Sequence, residues 1–91
     1  MLRKSRWLYQ AADHMPPWAM EYEWEFTGKR LHLYCTLYIE QVASGWSFYF
    51  EVSGQTPFSL ASQIVQIAKM HGVYMNDEDF NQIDWHFAKY F

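Results

Sequence analysis

The sequence predicts an α+β domain: a three-stranded antiparallel meander with two C-terminal helices on its apolar face, and a short N-terminal helix as an optional addition. Three observations carry that expectation. From Glu21 to Ser53 polar and apolar residues alternate with period 2, the pattern of an antiparallel sheet with one face buried and one wet. Two short breaks, Thr27-Gly28-Lys29-Arg30 and Ala43-Ser44-Gly45, interrupt the alternation, and links this short join neighbouring antiparallel strands. After Gly54 the apolar spacing changes to the 3.6-residue period of amphipathic helices.

Residues 1–15 read as a weak amphipathic helix, with Leu8, Ala11, Ala12 and Met15 at helical spacing and Trp7 beside them. Pro16-Pro17 ends it, because proline cannot donate the helical hydrogen bond and restrains the residue before it. The segment is basic at Arg3, Lys4 and Arg6 but has no apolar stretch of the kind a secretory signal needs. Met15 and Met20 are alternative starting residues. The chain therefore divides into an N-terminal segment, 1–19, helical or flexible, and a single α+β domain, 20–91.

The strands are expected over 20–27, 30–42 and 46–53. Glu21, Glu23 and Glu25 alternate with Tyr22, Trp24 and Phe26; Leu31, Leu33, Cys35, Leu37 and Ile39 continue the apolar side, opposite His32, Tyr34, Thr36, Tyr38 and Glu40. Trp46, Phe48, Phe50 and Val52 then alternate with Ser47, Tyr49, Glu51 and Ser53. Beyond them, Thr56 is a good N-cap and Pro57 a favoured first helical residue. Leu60, Ile64, Ile67 and Ala68 form the buried stripe, His71 falls in the last turn and Gly72 stops the helix. This helix is expected on Trp24, Phe26, Leu33, Leu37, Phe48 and Phe50. A second helix starts at Asn76, with Asp77, Glu78 and Asp79 favourably placed against the dipole of its first turn; Phe80, Ile83 and Phe87 give its core side, and Tyr90 and Phe91 follow.

Ninety-one residues make one domain. Five Trp, seven Tyr and seven Phe give so small a chain enough apolar area for a core, since each buried aromatic removes roughly 150–250 Å² from water. Cys35 is the single cysteine, so no internal disulfide forms; its place on the apolar side of a strand makes it a small buried hydrophobe rather than a reactive thiol. A lone cysteine suggests a reducing, cytoplasmic setting, and no apolar run approaches a membrane span. The net charge of −3 repels phosphate backbones, so direct nucleic-acid binding is not expected. An aromatic sheet face can stack single-stranded bases, but basic companions are missing from these strands.

Catalytic and metal-binding patterns are also missing from the sequence. His14, His32, His71 and His86 fall on four different elements with no ligand-pair spacing, and His86 reads as an exposed helix residue. Cys35 and His32 are three apart on one strand, hence on opposite faces. No serine sits in a glycine-flanked elbow, and the four glycines are isolated turn residues rather than a phosphate loop. Glu23 and Glu25 lie about 6.5–7 Å apart at Cα, as any i, i+2 strand pair does. Catalytic residues, cofactor and metal are each assigned as none.

What is unusual is the wet face of the sheet. It gathers Tyr34, Tyr38 and Tyr49 among Glu21, Glu23, Glu25, Glu40 and Glu51. Tyrosine gives a large, stiff contact area with a polar tip and is enriched in interface cores, while carboxylates steer a basic partner. A secondary acidic patch is expected from Asp77, Glu78, Asp79 and Asp84. Two bland readings compete: tyrosines that merely cover their strand neighbours, and an N-terminal segment that folds over the face with Trp7, Tyr9 and Trp18. The leading expectation is a small non-enzymatic protein-binding module, an inhibitor or immunity-type protein that occupies a basic partner surface, such as that of a nucleic-acid-binding protein or complex. The alternatives are a structural homodimer joined by the same face or a strand edge, and a small enzyme or ligand binder with a pocket where His32, Tyr34 or His86 converge.

Overall fold

A computed structural model describes residues 3–5, 18–39 and 46–91. In chain order the elements are β1 (Arg3–Ser5), β2 (Trp18–Thr27), β3 (Arg30–Ile39), β4 (Trp46–Gly54), α1 (Pro57–Met70) and α2 (Asp77–Ala88). The strands form one sheet in the order β1-β2-β3-β4, with every neighbouring pair antiparallel. The α+β arrangement of an antiparallel meander followed by two helices is thus as the alternation and the change of period predict.

The N-terminal end differs. Arg3–Ser5 pairs as a short strand on the outer side of β2, with Lys4 in register with Glu23. The remainder of the expected N-terminal helix, with Trp7, Tyr9 and His14, lies outside the described residues, as does the Ala43-Ser44-Gly45 connection. Three residues are too few to show a period. They become a strand because β2 offers an unpaired edge, a tertiary cause with no local signature.

The β2–β3 hairpin turns on two residues, Gly28 and Lys29. Gly28 has φ +62° and no non-glycine residue in the described chain has positive φ, so the loop has glycine at the first position, the type II′ pattern that matches strand twist. This turn sets the register that places Tyr22 opposite Cys35 and Glu23 opposite Tyr34. One face then collects Trp18, Met20, Tyr22, Leu31, Leu33, Cys35, Leu37, Ile39, Phe50 and Val52, all buried. Leu60, Ala61, Ile64 and Ala68 of α1, Val73, and Ile83 and Phe87 of α2 close over them. Fully burying aliphatic or aromatic side chains of this size stabilises the fold by about 1.5–3 kcal/mol each.

The helices divide the sheet between them. The side chain of Thr56 caps α1 by accepting from Ser59 N–H at 3.1 Å, with Pro57 in the first turn. The entry is tight, since a Cβ on Gly54 would lie 2.9 Å from Ser59 Oγ. From there α1 runs back along β4 until His71, its C-cap, stacks on Phe48 with ring centroids 3.9 Å apart. Next, α2 covers β2. Trp24 is met by Tyr90 and Phe26 by Phe91, so these two residues pack against the C-terminal residues after α2 rather than on α1 as expected. The cause is topological: α1 follows β4 directly and is held over it, which leaves β2 to the next helix.

Candidate functional site

The helices occupy one face of the sheet, and the other carries the predicted tyrosines and glutamates. Register arranges them in cross-strand ranks: Glu25–His32–Ser53, Glu23–Tyr34–Glu51, Glu21–Thr36–Tyr49 and Ala19–Tyr38–Ser47. The structure therefore brings Tyr34, Tyr49, Glu21, Glu23, Glu25 and Glu51 into one field, with Tyr38 at its lower end. Glu40 lies outside the described residues. Tyr38 is 37% exposed and Tyr49 52% exposed; Tyr34, Glu21, Glu23 and Glu25 are half-buried and Glu51 is exposed.

Tyr34 is the organised centre of this field. Its hydroxyl donates to Glu25 Oε1 at 2.6 Å, a diagonal reach across the β2–β3 pair of the kind antiparallel neighbours allow. That hydrogen bond, then partial desolvation, then the charges of Glu25 and Glu51, push the Tyr34 phenol up to about 12. Tyr49 is pushed up as well, by desolvation first and then by a hydrogen bond to Glu51 and the charge of that carboxylate. The two shifts have different leading causes but one contribution in common: a phenolate would be a further anion in an already negative field. Among the described residues Glu23, Glu25 and Glu51 have no ion-pair partner. At the hairpin end, Arg30 gives its Nε–H to Ser53 Oγ at 3.1 Å rather than to a carboxylate.

Between Tyr34 and the β4 edge lies a shallow open depression of about 200 Å³, lined by His32, Tyr34, Glu51, Ser53 and Gln63 together with Leu33 and Val52. Gln63 reaches it from α1. Its amide donates to Ser53 O at 2.6 Å and its Oε1 accepts from Ser53 N–H at 3.5 Å, so the side chain pairs with the outer backbone of β4 as another strand would. Gln63 was not among the residues expected at the site. Its signal is positional: β4 is the last strand, and a helix running straight back along it carries polar residues past an unpaired edge.

The other assignments fare unevenly. Asp79 does not belong to an exposed acidic patch: it is 3% exposed, and its Oδ2 accepts from Asn76 N–H at 3.0 Å while Asn76 Oδ1 accepts from Asp79 N–H at 2.8 Å. This is a reciprocal capping box, so the carboxylate is spent on the helix start, leaving Asp77 and Glu78 exposed and Asp84 half-buried. Likewise His86 is not a plain surface residue. It is half-buried, with Nε2 3.0 Å from the Tyr22 hydroxyl, which is itself 2.6 Å from that of Tyr90. Burial, and next the charge of Lys89, lower its pKa to about 4. This His86–Tyr22–Tyr90 chain, with Tyr22 at its centre, joins β2 to the C-terminal end under the helices, away from the tyrosine–glutamate face.

Cys35 is fully enclosed, and burial holds its thiol far above the ordinary range, which makes it inert. Among the described residues no group of three His, Cys, Asp or Glu side chains could hold a metal ion, and no helix is long and apolar enough to cross a membrane. Large apolar residues are also exposed outside the candidate face, among them Phe58, Met70, Tyr74 and Trp85, the last 78% exposed on α2. Family models, characterised proteins and solved structures each yield no match to this chain.

Proposed function

We propose that this chain is a small protein-binding module, of inhibitor or immunity type, that occupies a basic partner surface through the acidic, tyrosine-rich face of its sheet, which no described helix or strand covers. The observation that carries this reading is the arrangement around Tyr34. A phenol locked to Glu25 stands beside Glu51, above a depression with room for one side-chain head, and no described side chain forms an ion pair with Glu25 or Glu51. A partner's arginine or lysine fits that chemistry. Its cation would face the carboxylates of Glu25 and Glu51 and lie against the tyrosine ring, where charge-assisted hydrogen bonds and cation–π attraction act together. Tyr38 and Tyr49 would flank the anchor with rigid apolar area.

The surface chemistry disfavours nucleic acid as the occupant, since phosphates would meet Glu23, Glu25 and Glu51 without compensation. A basic surface on a nucleic-acid-binding protein is the matching case, because it already presents cations spaced for phosphates.

A peptide-display selection tests the reading and needs no identified partner. The wild-type domain serves as bait and the folded Tyr34/Tyr38/Tyr49→Ser variant as counter-bait. Enrichment of arginine- and lysine-rich sequences by wild type alone supports the proposal. Enrichment of acidic or purely apolar sequences, or equal retention by both baits, contradicts it.

A further inference from the structure

The two outer strands of the sheet differ in kind. β1 is three residues long, whereas β4 spans nine, Trp46–Gly54, and is rich in aromatic residues. Long, flat, apolar edge strands pair with other chains unless something blocks them. On β4 the block is partial. Ser53 turns its N–H and C=O outward and Gln63 occupies both. Peptide direction alternates along an antiparallel strand, so Ser47, Tyr49 and Glu51 also turn their backbone groups outward. Among the described residues no backbone hydrogen bond reaches them from that side.

We propose that this open stretch pairs with its own copy, joining two sheets through antiparallel β4 strands about a two-fold axis at Tyr49. The register follows from the clamp and from charge. An axis at Tyr49 pairs Tyr49 with its copy and Ser47 with the second copy's Glu51, using all three outward residues and leaving Ser53 to Gln63. Shifting the axis to Phe50 would require Ser53 and displace Gln63. An axis at Glu51 would put two carboxylates directly opposite, which is destabilising.

The chosen register also sets Phe48 against the second copy's Phe50 on the helix-bearing face, a favourable aromatic pair. On α1 the residues that share the side of Gln63, at i−4, i+3 and i+7, are Ser59, Gln66 and Met70, uncharged throughout, with Met70 78% exposed. A second copy can therefore approach along this side without meeting like charge. The pairing leaves the tyrosine–glutamate face open and doubles its width, so it is independent of the function proposed above.

Sedimentation equilibrium of the full chain from micromolar to millimolar concentration tests the proposal, with charge changes at the exposed Ser47. Wild type is expected to dimerise. Ser47→Glu places like charges opposite Glu51 twice per dimer and should raise the dissociation constant about fivefold. Ser47→Lys places opposite charges there and should hold or tighten it, and Ser47→Glu combined with Glu51→Lys should restore it. At concentrations low enough that all forms are monomeric, both single variants are expected to keep the wild-type urea midpoint. A strict monomer at every concentration, or equal effects of Ser47→Glu and Ser47→Lys, would overturn the proposal. So would a dimer indifferent to Ser47 but lost on Tyr38→Ser, which would place the contact on the open face.

Discussion

Acidification from about pH 7 to about pH 4.5 should cost this protein stability through one imidazole, that of His86. In the folded chain its Nε2 lies 3.0 Å from the Tyr22 hydroxyl, and the ring meets Phe87 edge-on with centroids 5.0 Å apart. Burial first, and the charge of Lys89 second, lower its pKa from 6.5 to about 4. Between those two values the unfolded chain takes up a proton that the folded chain refuses, so stability rises with pH. The contribution is complete above pH 6.5 and is lost as pH falls toward 4. A fully enclosed imidazole would contribute roughly 3 kcal/mol over that range, at about 1.36 kcal/mol per pH unit. His86 is only half enclosed, and solvent screening reduces the expectation to about 1–2 kcal/mol.

The assay is urea unfolding of wild type and His86→Gln at stepped pH. Glutamine retains an acceptor for Tyr22 but does not titrate, and the carboxylates common to both proteins cancel in the difference. Wild type should lose about 1–2 kcal/mol more than the variant between about pH 7 and pH 4.5. Parallel pH profiles would rule this contribution out, because they would mean that His86 is as well solvated when folded as when unfolded.

Further outcomes follow from other local contacts. Asn76→Ala removes half of the capping box and should cost about 1 kcal/mol in urea unfolding; an unchanged midpoint would show that Asp79 alone holds the start of α2. Glu25→Gln should bring the Tyr34 phenol down from about 12 toward its ordinary value of 10.0, read by NMR-monitored titration of the tyrosine ring; an unmoved Tyr34 would contradict the assignment of the shift to that hydrogen bond. Cys35 should react with a thiol reagent only as fast as the chain unfolds, and completely in denaturant, whereas rapid reaction of the native protein would contradict its enclosure.

The sheet was legible because its two faces differ in chemistry at every step. A slip of one residue would turn Leu33, Cys35 and Leu37 into water and Tyr34 and Thr36 into the core, so the alternation specifies the register, and Gly28 supplies the one turn geometry that realises it. Thr56-Pro57 and Asn76 announced the helix starts for equally local reasons. What could not be read from the sequence depends on tertiary neighbours. The strand at Arg3–Ser5 exists because β2 has an edge to fill. Asp79 looked like one charge among four until Asn76 folded back onto it. His86 looked exposed because its partners, Tyr22 and Tyr90, are brought to it by the sheet and by the end of the chain. Of the candidate face, the alternation indicates which strand residues share a side and the hairpin register sets Tyr34 diagonal to Glu25, while Gln63 and the depression it helps to line needed α1 in place.

Recognition of a basic protein by the tyrosine–glutamate face has a direct test in affinity capture from the native host's lysate. Wild type is run beside a folded Tyr34/Tyr38/Tyr49→Ser variant, with mass spectrometry as readout. A basic protein should be retained by wild type, lost by the variant and released as salt is raised. Retention of the same proteins by both forms, or of acidic proteins by wild type, would contradict recognition through this face.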